Sequence, residues 1–164
     1  MSGDWLGPLL RGLLAALALP EYGLATVFVA SFLSATLLPM GSEPAVFGLV
    51  KLNPSLLWPT VAVATLGNTL GGMLDYWMGR GAQRALGGDT SRTQARALAW
   101  LERFGPKAML LAWLPAVGDP LCAVAGWLRM PFWPSVAYMA AGKFLRYAVY
   151  APLLLWALPG QWHP

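Results

Sequence analysis

Apolar positions occupy most of this chain in long runs, and polar positions gather between them. Residues 22–42 and 52–74 carry no charged side chain. Each run holds the roughly 20 residues that a helix needs to cross the hydrocarbon of a bilayer, so each predicts a spanning helix. Residues 130–158 predict a third long helix, with Lys143 and Arg146 in its middle and Pro152 near its end. In residues 1–20, Leu6, Leu9, Leu10, Leu13, Leu14 and Leu17 recur at helical spacing with Asp4, Gly7 and Arg11 opposite them. That pattern predicts an amphipathic interfacial helix. A cleaved signal peptide is the rival, and Asp4 and Trp5 make a poor start for one.

Two interruptions organise the rest. Residues 38–44 read Leu-Pro-Met-Gly-Ser-Glu-Pro and residues 114–120 read Leu-Pro-Ala-Val-Gly-Asp-Pro, so both obey Leu-Pro-x-x-x-acid-Pro. Pro39, Gly41 and Pro44 break the first apolar region, and Pro115, Gly118 and Pro120 break the second, because proline removes a backbone donor and clashes with the preceding turn. Beyond the first break, residues 45–50 are too short to cross before Lys51. The second region, residues 108–128, falls into two short halves. Both therefore read as re-entrant hairpins, whose tips must be buried in protein or line a cavity.

Residues 82–107 form the polar loop, and from Arg80 to Lys107 six basic residues face only Asp89 and Glu102. An excess of Lys and Arg marks the cytoplasmic side. Counting crossings from that side, the first hairpin enters from outside and the second from inside, the arrangement of an inverted repeat. The expected fold is thus an all-α polytopic membrane protein, an inverted repeat with two opposed re-entrant helical hairpins and about three spanning helices. Its membrane domain occupies residues 21–158, and residues 159–164 form a tail.

Composition agrees: 57% of residues are hydrophobic and 11% charged, against about 25% charged in a soluble domain. The net charge of +4 belongs to the loop and signals orientation, with no nucleic acid as partner. Cys122 and His163 are the only residues of their types, which excludes an internal disulfide and points to no metal, no cofactor and no Ser-His-Asp triad. Cys122 reads as a small buried hydrophobe.

Apolar packing does not explain Glu43, Asp75, Asp119, Arg129, Lys143 and Arg146. A charge at membrane depth costs about 2.5–3.5 kcal/mol, so each must be paired, protonated or wet. Glu43 and Asp119 at the hairpin tips, with Asp75, are candidates for proton coupling or gating. Arg129, Lys143, Arg146 and Arg80 are candidates for an anionic headgroup, arginine offering a fork matched to phosphate. The plainer reading makes them structural ion pairs, with Arg80 and Arg129 marking the membrane boundary. Lys143 and Arg146 share a helix face too deep for that.

Three groups of residues carry a resemblance. Residues 31–39 with Glu43, residues 65–72 with Tyr76-Trp77-Met78-Gly79-Arg80, and Leu114-Pro115 through Gly118-Asp119-Pro120 with Ala125-Gly126 resemble the DedA family of bacterial inner-membrane proteins, in the VTT or SNARE-associated Golgi protein superfamily, and most of all its short YqaA-like branch. The resemblance implies opposed re-entrant hairpins and the flipping or scrambling of phospholipids or undecaprenyl phosphate across the bilayer, driven by protons. By position it makes Glu43 the family's hairpin acid, Gly79 and Arg80 the Gly-Arg ending its second motif, and Asp119 the polar residue of the second hairpin. Arginines that other members carry around that hairpin are replaced here by Ala112 and Gly118. The expectation is an inner-membrane lipid transporter without covalent chemistry, with membrane lipids and protons as partners and homo-oligomerisation left open. The alternatives are an assembly factor pinned by buried ion pairs and an enzyme acting on lipid phosphates through an aspartate.

Overall fold

Helix α1 (Pro20–Thr36) is the first helix among the described residues. The computed structural model describes residues 20–36, 42–86, 99, 103–114 and 117–157. The expected amphipathic helix at residues 1–19, most of the polar loop, the tail at residues 159–164 and the breaks at Pro39, Gly41 and Pro115 lie outside the described residues. Helix α2 (Glu43–Leu52) and a 3₁₀ turn (Pro54–Leu56) lead into α3 (Leu57–Leu86). A 3₁₀ segment (Gly105–Trp113) is followed by α4 (Gly118–Trp127) and α5 (Phe132–Ala157). Every element among the described residues is helical.

Prolines begin several of these helices. Pro44, Pro59 and Pro120 stand in the first turns of α2, α3 and α4, where the missing N–H has no intrahelical acceptor and costs nothing. Each break therefore restarts at once as a short helix. α2 and α4 are both 10 residues long, and each carries its acid, Glu43 or Asp119, in the first turn. The positive end of a helix dipole favours a carboxylate there. The first arms differ, since α1 is a 17-residue α-helix and the other a 9-residue 3₁₀ segment. α1 packs on α2 and the 3₁₀ segment on α4.

The long helix α3 holds α1 on one side and α4 on the other. Glycine sets the spacing at the α3–α4 contact. A methyl group on Gly79 would fall on the Ala123 carbonyl, and one on Gly126 would fall on the Tyr76 carbonyl, so the two backbones touch reciprocally. On the other side Gly67 lies against the Phe28 carbonyl in the same way. Small residues at helix crossings allow this approach.

Two apolar clusters result. Tyr76, Met109, Cys122, Met130 and Met139 form one, towards the C-terminal half of α3. Val27, Val46, Leu49, Val61 and Tyr147 form the other, towards its N-terminal half. Between them the interior is polar: Ser31, Thr65, Asn68, Thr69, Asp75, Lys143 and Arg146 are all buried. The outside is the reverse. Trp58, Leu66, Leu70, Leu74 and Met78 follow one exposed line along α3, which at about 1.5 Å per residue extends about 30 Å.

Among the described residues no helix is long and apolar enough to cross a membrane. The three spanning helices expected from the uncharged runs are thus not found as such. α1 has 17 residues, about 25 Å of helix against a hydrocarbon core of about 30 Å. α3 and α5 have 30 and 26 residues, but their inward faces carry Asn68, Thr69 and Asp75, and Lys143 and Arg146, which offset the apolar outward faces.

Gly79→Ala and Gly126→Ala are each expected to destabilise the fold by about 1–3 kcal/mol, the usual cost of overpacking. Thermal unfolding in detergent checks this, with Gly81→Ala as the control, because nothing lies within 4 Å of a methyl group there.

Candidate functional site

Helix α5 supplies the centre of the polar interior. Its Lys143 and Arg146 are three residues apart, which puts both on one face of the helix. Lys143 is wholly buried, and its Nζ lies 3.0 Å from Asp119 Oδ1. The same Nζ donates to the backbone carbonyl of Asn68 at 2.7 Å. Room for it comes from Gly72, where a Cβ would stand 3.0 Å from Nζ and 2.7 Å from Met139 Sδ. Cys122, also buried, donates its thiol to the Gly118 carbonyl at 3.2 Å. It packs as the small hydrophobe that its neighbours suggest.

One turn further along α5, Arg146 forms an ion pair with Glu43. Its guanidinium also sits 5.8 Å from the centre of the Tyr147 ring. The Tyr147 hydroxyl meets the Ser42 hydroxyl, so two neighbouring residues of α5 grip two neighbouring residues at the start of α2. The hairpin acids that the sequence sets apart by seventy-odd residues are therefore both held by one helix. In each pair the cation is the more enclosed partner: side-chain exposure is 0% for Lys143 against 23% for Asp119, and 6% for Arg146 against 28% for Glu43.

Asp75 is buried beside this centre on α3 and lies within the electrostatic reach of Lys143 and Asp119. Among the described residues it has no ion pair within 4.0 Å. Arg146 Nε and Asn68 Oδ1 are likewise buried without a hydrogen-bond partner among the described residues. Asn68 Nδ2 donates to the Ser31 carbonyl at 3.2 Å and ties α3 to α1.

The four basic candidates do not form one group. Arg80 is eight residues beyond Gly72 on α3, about 12 Å along the helix. It donates to the Tyr76 hydroxyl at 3.3 Å and lies 5.7 Å from the centre of the Trp77 ring. The Tyr76 hydroxyl in turn donates to the Met130 carbonyl at 2.5 Å. Arg129 is exposed and donates from Nε to Gln83 Oε1 at 2.9 Å. It closes α4 with two backbone bonds, Arg129 N to Gly126 O at 3.0 Å and Met130 N to Ala125 O at 3.1 Å. Its φ is +54°, the left-handed conformation that glycine usually takes in this cap and that costs another residue roughly 1–2 kcal/mol.

Of the hairpin breaks, Pro44, Gly118 and Pro120 frame the acids, and Gly118 is needed because a Cβ there would fall on the Ala112 carbonyl. Sequence reasoning misses Ser42, Tyr147 and Gln83. The first two are signalled only by standing next to Glu43 and Arg146, and Gln83 by standing one turn beyond Arg80. Among the described residues no cluster of His, Cys, Asp and Glu is placed to hold a metal ion.

Two short acid-headed helices clamped on a third define a class. The VTT domain family matches residues 45–154, and the chain belongs to that family. This is the superfamily indicated by the segments around Glu43, Gly79-Arg80 and Asp119. Within it, the chain is 42% identical over 128 residues to inner membrane protein YqaA of Escherichia coli (strain K12), a match covering 78% of this chain and 88% of the relative. The protein of the same name from Shigella flexneri gives the same figures. An uncharacterized protein of Haemophilus influenzae is 40% identical over 132 residues, covering 76% of this chain and 82% of the relative. No solved structure matches.

Lys143→Met and Asp119→Asn are each expected to cost about 3–5 kcal/mol, because each strands a charge or leaves a buried group without its partner. The double variant is expected to recover most of that loss. A double-mutant cycle on unfolding in detergent measures the coupling, and costs that simply add would show that the pair does not anchor α4.

Proposed function

We propose that this chain is a multi-pass protein of the bacterial inner membrane that carries an anionic lipid between leaflets, with Lys143 and Arg146 as the shared seat of the headgroup and the two hairpin carboxylates. The observation that carries this reading is the pairing of both hairpin acids with neighbouring cations of α5. Membrane placement is supported by the polar interior, by the exposed apolar line along α3 and by the name of the Escherichia coli relative.

In each pair the carboxylate is the more accessible partner, so it is the group that solvent and headgroups reach first. Neutralising Glu43 or Asp119 with a proton frees the cation behind it. A phosphate oxygen then takes the carboxylate's place, Arg146 offering a two-pronged donor and Lys143 a compact charge. Expelling the proton restores the ion pair and releases the headgroup. Asp75, close to Lys143 and Asp119, holds a second negative charge against the same cation and sharpens the competition. The hairpins α1–α2 and 3₁₀–α4 act as the two opposed re-entrant gates of an inverted repeat, each opening to one side, with the basic loop at residues 82–107 in the cytoplasm. The substrate class is a phosphate-bearing lipid, a phospholipid or a polyprenyl phosphate, and no covalent bond is made or broken.

A second reading, an assembly factor with ion pairs that only pin the fold, draws on the complete burial of Lys143. Proteoliposomes carrying fluorescent phosphatidylglycerol separate the two. Glu43→Gln and Asp119→Asn are expected to slow lipid movement at least about tenfold, equivalent to about 1.4 kcal/mol on the barrier. Equal movement in wild type and both variants, together with lowered melting temperatures, would sink the transport reading in favour of the assembly factor.

A further inference from the structure

Arg80 and Arg129 sit apart from the transport centre, and their surroundings have their own chemistry. Both flank the C-terminal ends of α3 and α4. Among the described residues neither has an acidic partner within 4.0 Å, and residues 76–86 and 128–133 contain no acid at all. Arg80 Nε is buried and lacks a hydrogen-bond partner among the described residues. Arg129 holds a left-handed backbone at a cap position that glycine would fill without strain, yet its side chain makes one hydrogen bond, to Gln83, at the surface. Gln83 is three residues beyond Arg80, so the two stand on one face of α3 and bring the guanidinium groups to the same flank.

Beside them runs a row of aromatic rings. Tyr76 and Trp77 are 5.9 Å apart, Trp77 and Phe132 5.5 Å, and Phe132 and Trp133 5.3 Å. Trp77 and Trp133 are exposed by 52% and 74%. Exposed tryptophans beside arginines that have no acidic partner among the described residues suit the boundary between hydrocarbon and headgroups.

We propose that this flank is a second lipid site, distinct from the Lys143–Arg146 centre, which holds the phosphate of an anionic phospholipid between Arg80 and Arg129 while the acyl chains lie over Trp77, Phe132 and Trp133. Charge complementarity selects the occupant, since two cations with no acidic partner among the described residues meet one phosphate and the apolar rings meet its tails. Strain at Arg129 is retained because only a side chain there reaches the headgroup. The site rests on membrane placement and not on transport, so it stands or falls separately from the roles given to Glu43 and Asp119.

The test is native mass spectrometry of the full-length chain from micelles containing equal amounts of phosphatidylglycerol and phosphatidylcholine. Wild type is expected to retain one phosphatidylglycerol in roughly tenfold preference. Arg129→Gly and Arg80→Gln are each expected to lose that preference, while Arg129→Gly melts no lower than wild type because the cap is relieved. Arg129→Lys is expected to keep part of it. Retention of the preference in Arg129→Gly would overturn the proposal, and so would its loss together with a lower melting temperature, which would make Arg129 a structural cap. Displacement of the lipid by inorganic phosphate at equal concentration would reassign the site to a free anion.

Discussion

Two carboxylates, each at the head of a short helix, hold one long helix between them. α2 and α4 are each 10 residues long, below the length at which an isolated helix is stable in water. They persist by packing, Val46, Leu49 and Val50 in one apolar cluster and Cys122 and Ala125 in the other, and their first turns are tied to α5 by Glu43 with Arg146, Asp119 with Lys143 and Ser42 with Tyr147. A buried ion pair is weak evidence for stability, since desolvation consumes much of the attraction. It is strong evidence for register, because removing one member leaves a charge with nowhere to go. The position of α5 relative to both hairpins is set in this way, and the apolar clusters on either side fill in around it.

That centre also dictates the inverted polarity of the fold. With Asn68, Thr69 and Asp75 facing inward on α3, the outward line from Trp58 to Met78 is left to large apolar side chains. Such an exterior would be an aggregation liability in water. In hydrocarbon it is the expected surface, while inside Lys143 and Arg146 pair with Asp119 and Glu43.

Much of this is legible in the residues, and the remainder is hidden for definite reasons. The matched breaks at residues 38–44 and 114–120 announce two broken helices with an acid at each break, and α2 and α4 begin there with Glu43 and Asp119 in their first turns, because proline and glycine act locally and their spacing repeats. The importance of Glu43, Asp119, Lys143 and Arg146 follows from the cost of charge in an apolar run. Pairing of the buried acids with the buried cations is expected from that cost, but who meets whom cannot be read: the fold gives Arg146 to Glu43 and Lys143 to Asp119. Position within its run separates Lys143, too deep to reach the boundary, from Arg129 at its edge, and one is wholly enclosed and the other exposed. The expectation of three long apolar spans is not met among the described residues for a related reason. Absence of charge measures a run of residues, whereas a membrane meets only the outward face of a helix. A nine-residue 3₁₀ segment at Gly105–Trp113 has no sequence signal at all, as such runs seldom exceed 3–4 residues.

The long reach between Glu43 and Arg146 bears on how the chain is made. The second hairpin finds its cation on the helix that follows it, but the first must wait for the last: Ser42 and Tyr147, beside that pair, are 105 positions apart. At about 5–20 residues per second of synthesis, Glu43 spends on the order of ten seconds at the ribosome without its partner. During that interval Glu43 lacks the guanidinium that pairs with it in the finished fold, so it stays near water, takes a proton or meets another cation such as Lys51. Completion of the first hairpin is thereby tied to emergence of the final helix, and a truncated product would betray itself to quality control by the acid it leaves unmatched.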